Sequence, residues 1–457
     1  MSRIKQFKSQ TRDLIHRGFD RHIKLAVTGL SGAGKTALIT GVLEQLLYAN
    51  ESQNLPYFNV RQHQRLIGCR LHTSPNWDTP RFDYEKAVEC LTSAQGKWPA
   101  STRDVSEIRV ELKYHPERGI AGRVLDERRL TVDIIDYPGE WLLDLPLLSL
   151  TYRQWSEKQR TLIDSTPRQE MAEVWLKKLY ELSEVATEDN AENQLKIVAS
   201  AYRAYLSECK TRGLKLLQPG RLVLPGELEG TPSLDFFPWT LKRPIPNAWQ
   251  GLLEQKFEYY KEHVIKPFYQ NYFRHFNRQL ILVDVLGALE GGESHFDELK
   301  LALTEIMQSF NYGQNSLLKR LFSPQIDKVA FVATKADSII PSDHTKLTGL
   351  LNALTLEGRQ QLQFERIPFE LFSVAGVSTS QWKQLKNGTN VLEGIDESGA
   401  LVRVGAPHVP GRLPAKDDWQ QGYVYPHFLP NFTLADSPLP HIRLDKLLNA
   451  VIGDKLR

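Results

Sequence analysis

Eight consecutive residues near the start of the chain have the composition and spacing of a phosphate-binding loop. Residues 29–36 read Gly-Leu-Ser-Gly-Ala-Gly-Lys-Thr and fit G-x-x-x-x-G-K-[ST] at every defined position. Such a loop turns its backbone N–H groups toward phosphate oxygens, its lysine bridges the β- and γ-phosphates, and its threonine hydroxyl binds magnesium. The pattern predicts a nucleoside triphosphate site and leaves the base open; its predicted contacts are Ser31, Gly32, Ala33, Gly34, Lys35, Thr36 and Ala37.

A second motif, Asp136-Tyr137-Pro138-Gly139, follows an apolar run. An acid in this place can hold magnesium through water, and the N–H of Gly139 can sense the γ-phosphate, so that the loop orders and relaxes with the nucleotide state. Asp284 closes another apolar run and is a rival acid. It lacks the following D-x-x-G, and we interpret it as a strand-end residue.

The third motif concerns the base. Thr334-Lys335-Ala336-Asp337 matches the pattern [NT]-K-x-D. The Asp337 carboxylate can accept hydrogen bonds from guanine N1–H and N2–H₂, which adenine does not offer in that place, and an unpaired buried carboxylate discriminates strongly. The stem of Lys335 can lie against the base. A looser match, expected to supply a backbone N–H to guanine O6, is formed by Ser373, Val374 and Ala375.

Short runs rich in Val, Ile, Leu and Phe precede these motifs, as expected of buried strands. A helical pattern over Thr36–Leu47 follows the first run, which indicates a β-loop-α unit. The expected fold is α/β: a P-loop NTPase of G-protein type, with a mostly parallel sheet flanked by helices. The predicted strands are Ile23–Thr28, Ile108–Leu112, Leu130–Ile135, Gln279–Val285, Lys328–Ala333 and Phe369–Val374.

The amino-acid composition changes along the chain, and these changes predict three structural regions. Residues 1–149 and 276–400 are expected to form the G domain, and residues 150–275 a large helical insertion. The insertion would hold charged helices over Gln154–Leu182 and Asn193–Leu216 and end in a Pro- and Gly-rich loop. Residues 401–457 are rich in aromatic side chains, which favours a segment packed on the G domain with a final helix over Arg443–Leu456.

Composition and the first residues bear on partners and location. The 57 basic residues exceed the 54 acidic ones by only three, so no nucleic-acid partner is expected. The three cysteines have no zinc spacing, and no apolar stretch is long enough for a transmembrane helix. We expect a cytoplasmic protein. Residues 1–20 predict a basic amphipathic helix, which either packs on the domain or attaches peripherally to the inner membrane.

Further motifs carry a family resemblance. Trp98-Pro99, Gln218-Pro219-Gly220-Arg221, the Pro-Gly run at 225–230 and the Pro-Leu-Pro run at 438–445 resemble the YcjX-like family of bacterial P-loop GTPases, over nearly the whole chain. The resemblance implies a TRAFAC-type G domain with a large helical insertion, a cytoplasmic location and an association with stress response. It also implies a gene neighbourhood that often holds a membrane protein, so a membrane-protein partner or a GTPase activator is an expected partner.

Two catalytic positions stay open from the sequence. Switch I should supply a threonine to magnesium and the γ-phosphate. Thr102 is the prediction, with Thr73 and Thr79 as rivals and a cap or loop hydroxyl as the alternative. Glu140 stands where many G proteins place a water-orienting glutamine, and it is either catalytic or a surface turn residue. Nothing singles out an arginine finger among Arg81, Arg103 and Arg221.

These motifs together predict a magnesium-dependent protein that binds and hydrolyses GTP, with Lys35, Thr102 and Glu140 as catalytic residues and Thr36, Thr102 and Asp136 as metal ligands. GTP and GDP are its substrate and product. Intrinsic hydrolysis should be slow and stimulated by a partner or a second copy, because no glutamine or arginine finger is evident. An ATPase or small-molecule kinase is one alternative, and a nucleotide-regulated scaffold with little turnover is another. The oligomeric state is left open.

Overall fold

The predicted strands come together in one sheet of a computed structural model. The structure describes residues 21–50, 53–73, 76–94, 96–117, 127–165, 167–184, 191–309, 326–364 and 366–457; the predicted helix over residues 1–20 lies outside these ranges. Within them, the main sheet has seven strands in the order β2-β3-β4-β1-β5-β6-β7. The strands are β1 Arg21–Gly29, β2 Leu66–His72, β3 Ser106–Tyr114, β4 Arg128–Asp136, β5 Arg278–Val283, β6 Lys328–Ala333 and β7 Phe369–Ser373.

The sheet is mostly parallel, as predicted. β1 pairs in parallel with both β4 and β5, and β6 pairs in parallel with β5 and β7. β3 is antiparallel to β4 and to β2. The α/β fold class is therefore confirmed, and the carboxyl ends of β1, β4, β5, β6 and β7 meet at one edge of the sheet.

Two features of the sheet structure were not predicted. β2 is a largely half-exposed edge strand with glycine and arginine in its sequence, so it lacks the apolar run of a buried strand. A second, three-stranded antiparallel sheet also forms, and the predicted boundary at residue 400 falls within it. Its two outer strands are largely exposed and its buried central strand is short, so no long apolar run marks it, although the Asn387-Gly388 pair marks a hairpin turn. The three strands are β8 Ser380–Gln384, β9 Asn390–Ile395 and β10 Leu401–Gly405.

Helices flank the main sheet and fill the region between β4 and β5. The helices are α1 Lys35–Leu47, α2 Asn59–Gln62, α3 Tyr84–Thr92, α4 Tyr152–Ile163, α5 Arg168–Met171, α6 Glu173–Ser183, α7 Ala191–Thr211, α8 Gly220–Val223, α9 Asn247–Tyr260, α10 Lys266–Asn271, α11 Val285–Glu290, α12 Glu293–Ser309, α13 His344–Leu354, α14 Leu356–Phe364 and α15 Leu444–Ile452. Among the described residues, every helix is too short or too polar to span a bilayer.

The structure gives the predicted helical segments more definite bounds. The helical segment over Gln154–Leu182 forms three helices, α4 to α6, and Pro167, which lacks a backbone N–H to continue a helix, lies between α4 and α5. The helix expected over Asn193–Leu216 ends at Thr211, and Gly213 has a φ of 87°, a conformation that favours glycine after a helix end. The last helix ends at Ile452 and continues as a 3₁₀ turn.

The helices between β4 and β5 share a core with the sheet. Trp155, Trp175 and Trp249 of this region belong to the same buried cluster as Ala26 of β1 and Phe331 of β6. The opposite face of the sheet packs against α1 and α15 in a second cluster. Because one continuous apolar core joins the two regions, the helical region cannot move away from the sheet without exposing apolar surface to water.

A buried ion pair also joins the helices between β4 and β5 to α12, a helix that follows β5. Arg168 is fully buried, and its guanidinium donates two hydrogen bonds to Glu298 of α12, at 2.5 and 3.0 Å. It also donates to the Tyr205 hydroxyl and to the Leu216 carbonyl. Glu298 in turn accepts from the backbone N–H of Lys215, so the carboxylate is satisfied from both sides.

We predict that Arg168→Ala lowers the free energy of unfolding by about 3–5 kcal/mol, because it leaves the Glu298 carboxylate buried without its cation. Arg153→Ala is the matched control. Arg153 is 85% exposed and pairs with Glu157 on the surface of α4, so its removal should have a much smaller effect. Urea unfolding of the three proteins measures the difference, and equal losses in both variants would contradict the prediction.

Candidate functional site

A cavity of about 410 Å³ lies at the edge where the parallel strands end. Segments that are up to four hundred residues apart in sequence meet around it. The lining residues are Ser31 to Leu38, Trp98 to Thr102, Glu140, Leu224, Thr334, Lys335, Asp337, Ser338, Ala375 to Val377, Thr379, Glu397 and Pro426 to Leu429. The cavity therefore contains the predicted phosphate loop at one end and the predicted base-reading motif at the other.

The phosphate loop joins β1, which ends at Gly29, to α1, which begins at Lys35. Gly32 and Gly34 have φ angles of 83° and 76°, which side chains other than glycine rarely adopt. The Lys35 ammonium donates to the Gly29 carbonyl at 2.8 Å and so spans the loop. The first residues of α1, Lys35 to Leu38, line the cavity, and the positive end of a helix favours an anion.

Asp136 and two threonines form a polar corner near the loop. The Thr102 hydroxyl donates to Asp136 Oδ2 at 2.6 Å, and the Thr36 hydroxyl donates to the Ala100 carbonyl at 3.3 Å. Thr102 lies in the loop before β3, so the interpretation as a helix cap is wrong. It lines the cavity, whereas its rival Thr79 accepts a hydrogen bond from Asn76 outside the lining.

The buried Asp136 carboxyl has one oxygen that is available to a further hydrogen-bond donor or ligand. Asp136 is 2% exposed, and its Oδ1 is buried without a hydrogen bond from any described residue. Burial raises its pKa to about 6, and nearby Lys35 and the hydrogen bond from Thr102 oppose that rise. A hydrated magnesium ion would satisfy this oxygen, and such ions use few protein ligands besides water and phosphate. No group of three or more acidic, histidine or cysteine residues that could hold a metal occurs among the described residues.

Gly139 brings the D-x-x-G segment directly against the phosphate loop. It begins a buried 3₁₀ helix over Gly139–Ser149, and a Cβ at this position would lie 2.4 Å from the Gly29 carbonyl oxygen. Glu140, the next residue, is 2% exposed and lines the cavity. The interpretation of Glu140 as a surface turn residue is therefore wrong.

The base-reading motif is held by a residue that the sequence did not indicate. Asp337 Oδ2 accepts hydrogen bonds from the backbone N–H and the hydroxyl of Thr379, at 2.9 and 3.0 Å. Burial raises the pKa of the Asp337 carboxyl, and the two bonds from Thr379 oppose this rise. Thr379 belongs to no recognisable sequence motif, and single threonines in loops are too common for the sequence to indicate this one. Thr334 and Lys335 line the cavity beside Asp337.

The structure also places the rival acid Asp284 and the loosely matched triplet Ser373, Val374 and Ala375. Asp284 accepts from the Gly287 N–H as the cap of α11 and pairs with Lys335 at 2.6 Å, which confirms it as a strand-end residue. Ala375 lines the cavity. Ser373 and Val374 do not: Ser373 accepts a hydrogen bond from Arg443, and the Val374 N–H donates to the Ala333 carbonyl, within the sheet edge.

The C-terminal segment closes one side of the cavity with Pro426, His427, Phe428 and Leu429. The Trp98 indole N–H donates to the Phe428 carbonyl at 3.2 Å and ties the segment to the loop that carries Thr102. The aromatic content of this segment predicted packing on the domain. Its place at the site depends on long-range contacts that no local pattern encodes.

No arginine lines the cavity in the part of the chain that the structure describes. Arg221 is buried with its guanidinium 3.2 Å from the centre of the Trp141 ring, and Arg81 pairs with Glu85 on the surface. Neither is placed as an arginine finger. Two lysines between β4 and β5 contact residues that line the cavity: Lys210 lies 3.5 Å from Glu140, and Lys215 donates to the Ser31 carbonyl at 3.0 Å.

Comparisons with known proteins agree with this geometry. The model of the YcjX-like family, DUF463, matches residues 23–456. The chain is 40% identical to a protein of Escherichia coli K12 named "Ras-like GTPase YcjX", over 99% of this chain and 100% of that one. It is 36% identical to a protein of the same name from Shewanella oneidensis, over 99% of this chain and 98% of that one.

We predict that Gly139→Ala lowers the free energy of unfolding by about 1–3 kcal/mol, because the new Cβ must push the D-x-x-G segment away from the backbone of the phosphate loop. Gly251→Ala is the matched control, since a Cβ at this position of α9 meets open space and alanine favours the helix. Thermal unfolding measures both. A Gly139 variant as stable as the Gly251 variant would contradict the close contact.

Proposed function

The chain belongs to the YcjX-like family, whose relatives carry the name of a Ras-like GTPase, and from this premise we propose a magnesium-dependent switch protein that binds and hydrolyses GTP with slow intrinsic turnover. The observation that carries the proposal is the single cavity that holds both the phosphate loop and Asp337. A loop of this type alone supports any nucleoside triphosphate, whereas an acid at the far end supports guanine.

The choice of guanine depends on hydrogen-bond donors. Asp337 is buried and accepts from Thr379 through Oδ2. A guanine base would donate hydrogen bonds from N1–H and N2–H₂ to this carboxylate, and these bonds would offset the free-energy cost of its burial. An adenine base would present an acceptor there, so the carboxylate would keep only its bonds from Thr379 and gain none from the base, which is costly at a buried site. The stem of Lys335, beside Asp337, would cover a face of the base.

The phosphate end supports magnesium and hydrolysis. Thr36, Thr102 and Asp136 would hold the ion, partly through water, and Oδ1 of Asp136 has the free position that such a water needs. The bound ion would neutralise developing phosphate charge. Lys35 and the backbone N–H groups of the loop would orient the triphosphate, and this positioning supplies most of the catalysis in phosphoryl transfer. Backbone N–H groups near Ala375 would meet the base.

We expect slow GTP turnover because the described residues at the catalytic positions lack the usual glutamine and arginine. Glu140 occupies the place of a water-orienting glutamine, and the cavity has no arginine within the described residues. We propose that an activating partner or a second copy raises the rate. An association with stress response, a membrane-protein partner and a cytoplasmic location, peripheral at the inner membrane or not, are also part of this proposal and rest on the family resemblance alone.

Single-turnover hydrolysis of radiolabelled GTP by the full chain tests the proposal. We predict a rate well below about one per second for the unaltered protein and no measurable hydrolysis for Lys35→Ala, because the variant loses the cation on the β- and γ-phosphates. Lys86→Ala changes an exposed lysine of α3 and should hydrolyse GTP normally. Several turnovers per second by the isolated protein, or an unchanged rate in the Lys35 variant, would overturn the account.

A further inference from the structure

The position of Glu140 poses an electrostatic problem. Its side chain is 2% exposed and lines the cavity close to the phosphate loop. A buried carboxylate is costly without a counter-charge, and a triphosphate in this cavity would repel it. Some group of the protein must therefore hold the carboxylate in place when nucleotide binds.

Lys210 supplies that counter-charge from the helical insertion. Its ammonium lies 3.5 Å from Glu140 Oε1, in the last turn of α7. At this distance the two groups attract one another by charge, while Oε1 is buried and accepts no hydrogen bond from a described residue. The carboxylate oxygen is therefore held by a cation and still has a free position for a hydrogen bond from water.

The chain that directly follows α7 is held against the phosphate loop and against the 3₁₀ helix that contains Glu140. Lys215 donates to the Ser31 carbonyl of the phosphate loop at 3.0 Å. Gly220 lies so close to Glu140 that a Cβ there would be 2.0 Å from the Glu140 carbonyl oxygen. The Gly220 N–H also donates to Asp144, in the 3₁₀ helix that begins at Gly139. Lys210 therefore approaches Glu140 from an anchored element.

We propose that Lys210 is a positioning residue for GTP hydrolysis, through which the helical insertion holds the Glu140 carboxylate beside the attacking water. This inference rests on the proposed function. In the step, the water oxygen forms a bond to the γ-phosphorus. The bond from that phosphorus to the bridging oxygen breaks, its electron pair stays on GDP, and the water proton leaves with the phosphate product. Glu140 accepts a hydrogen bond from the water and is not consumed.

The alternative is an ion pair that only stabilises the docking of the insertion. The two cases differ in what they change. A structural pair affects the stability of the protein in the same way whether or not Glu140 takes part in hydrolysis. A positioning residue that acts through Glu140 affects kcat, leaves nucleotide binding nearly unchanged, and loses its effect once Glu140 no longer orients water.

Single-turnover hydrolysis and fluorescent GTP binding by the full chain separate these cases. Lys210→Met keeps the aliphatic stem and removes the charge. We expect it to lower the hydrolysis rate by about 100-fold with little change in GTP affinity, and Lys210→Arg to restore most of the rate. Combined with Glu140→Ala, which leaves no side-chain oxygen to orient water, the Lys210→Met change should have little further effect. Lys196→Met, an exposed position on the same helix, is the matched control.

Two results would overturn the inference: a Lys210→Met rate equal to that of the Lys196 control, or the same loss on both Glu140 backgrounds. Thermal unfolding of each variant identifies a folding defect. If Lys210→Met is unfolded, the hydrolysis rate of Lys210→Arg decides: a rate close to that of the unaltered protein supports the inference, and a rate about 100-fold lower contradicts it. If the unaltered protein neither binds nor hydrolyses GTP, the proposed function fails and this inference with it. If it hydrolyses GTP and Lys210→Met does so equally well, only the inference fails.

Discussion

The parallel pairing of β1 with β4 and β5, and of β6 with β5 and β7, is the constraint on which the site depends. Parallel strands present their carboxyl ends at one edge, so the loops that follow β1, β4, β6 and β7 converge there. The phosphate loop, the D-x-x-G segment and the base-reading motif are such loops. Their distance along the chain is irrelevant once the strands pair, since ligands of open α/β sheets bind at this edge.

The helical insertion is part of this site rather than an appendage. It shares one apolar core with the sheet, and the buried Arg168–Glu298 pair fixes it to α12. These contacts place the segment from Lys210 to Gly220 against the phosphate loop and Glu140. This region therefore lines the cavity with Leu224 and contacts two other lining residues, Ser31 and Glu140, through Lys215 and Lys210.

Sequence patterns predicted the parts of the fold that rest on local physics. Buried strands need continuous apolar runs, and β1, β4, β5 and β6 have them directly before their motifs. The largely exposed strands β8 and β10, which flank β9, have no such run, and the half-exposed β2 has none either. Thr379 and Phe428 line the cavity, and Lys210 contacts Glu140 beside it, through tertiary contacts. Their residue types are common in loops and on helix surfaces. No spacing rule could separate them from other threonines, phenylalanines and lysines.

The central claim is that one cavity binds guanine nucleotides through main-chain amides at one end and a buried acid at the other. Isothermal titration calorimetry of the purified full chain with GTP, GDP, ATP and ADP in the presence of magnesium tests it most directly. We predict binding of both guanine nucleotides and an affinity for the adenine nucleotides lower by about 100-fold or more, as two lost hydrogen bonds to a charged group imply. Equal affinities for the two bases, or no binding of either, would contradict it.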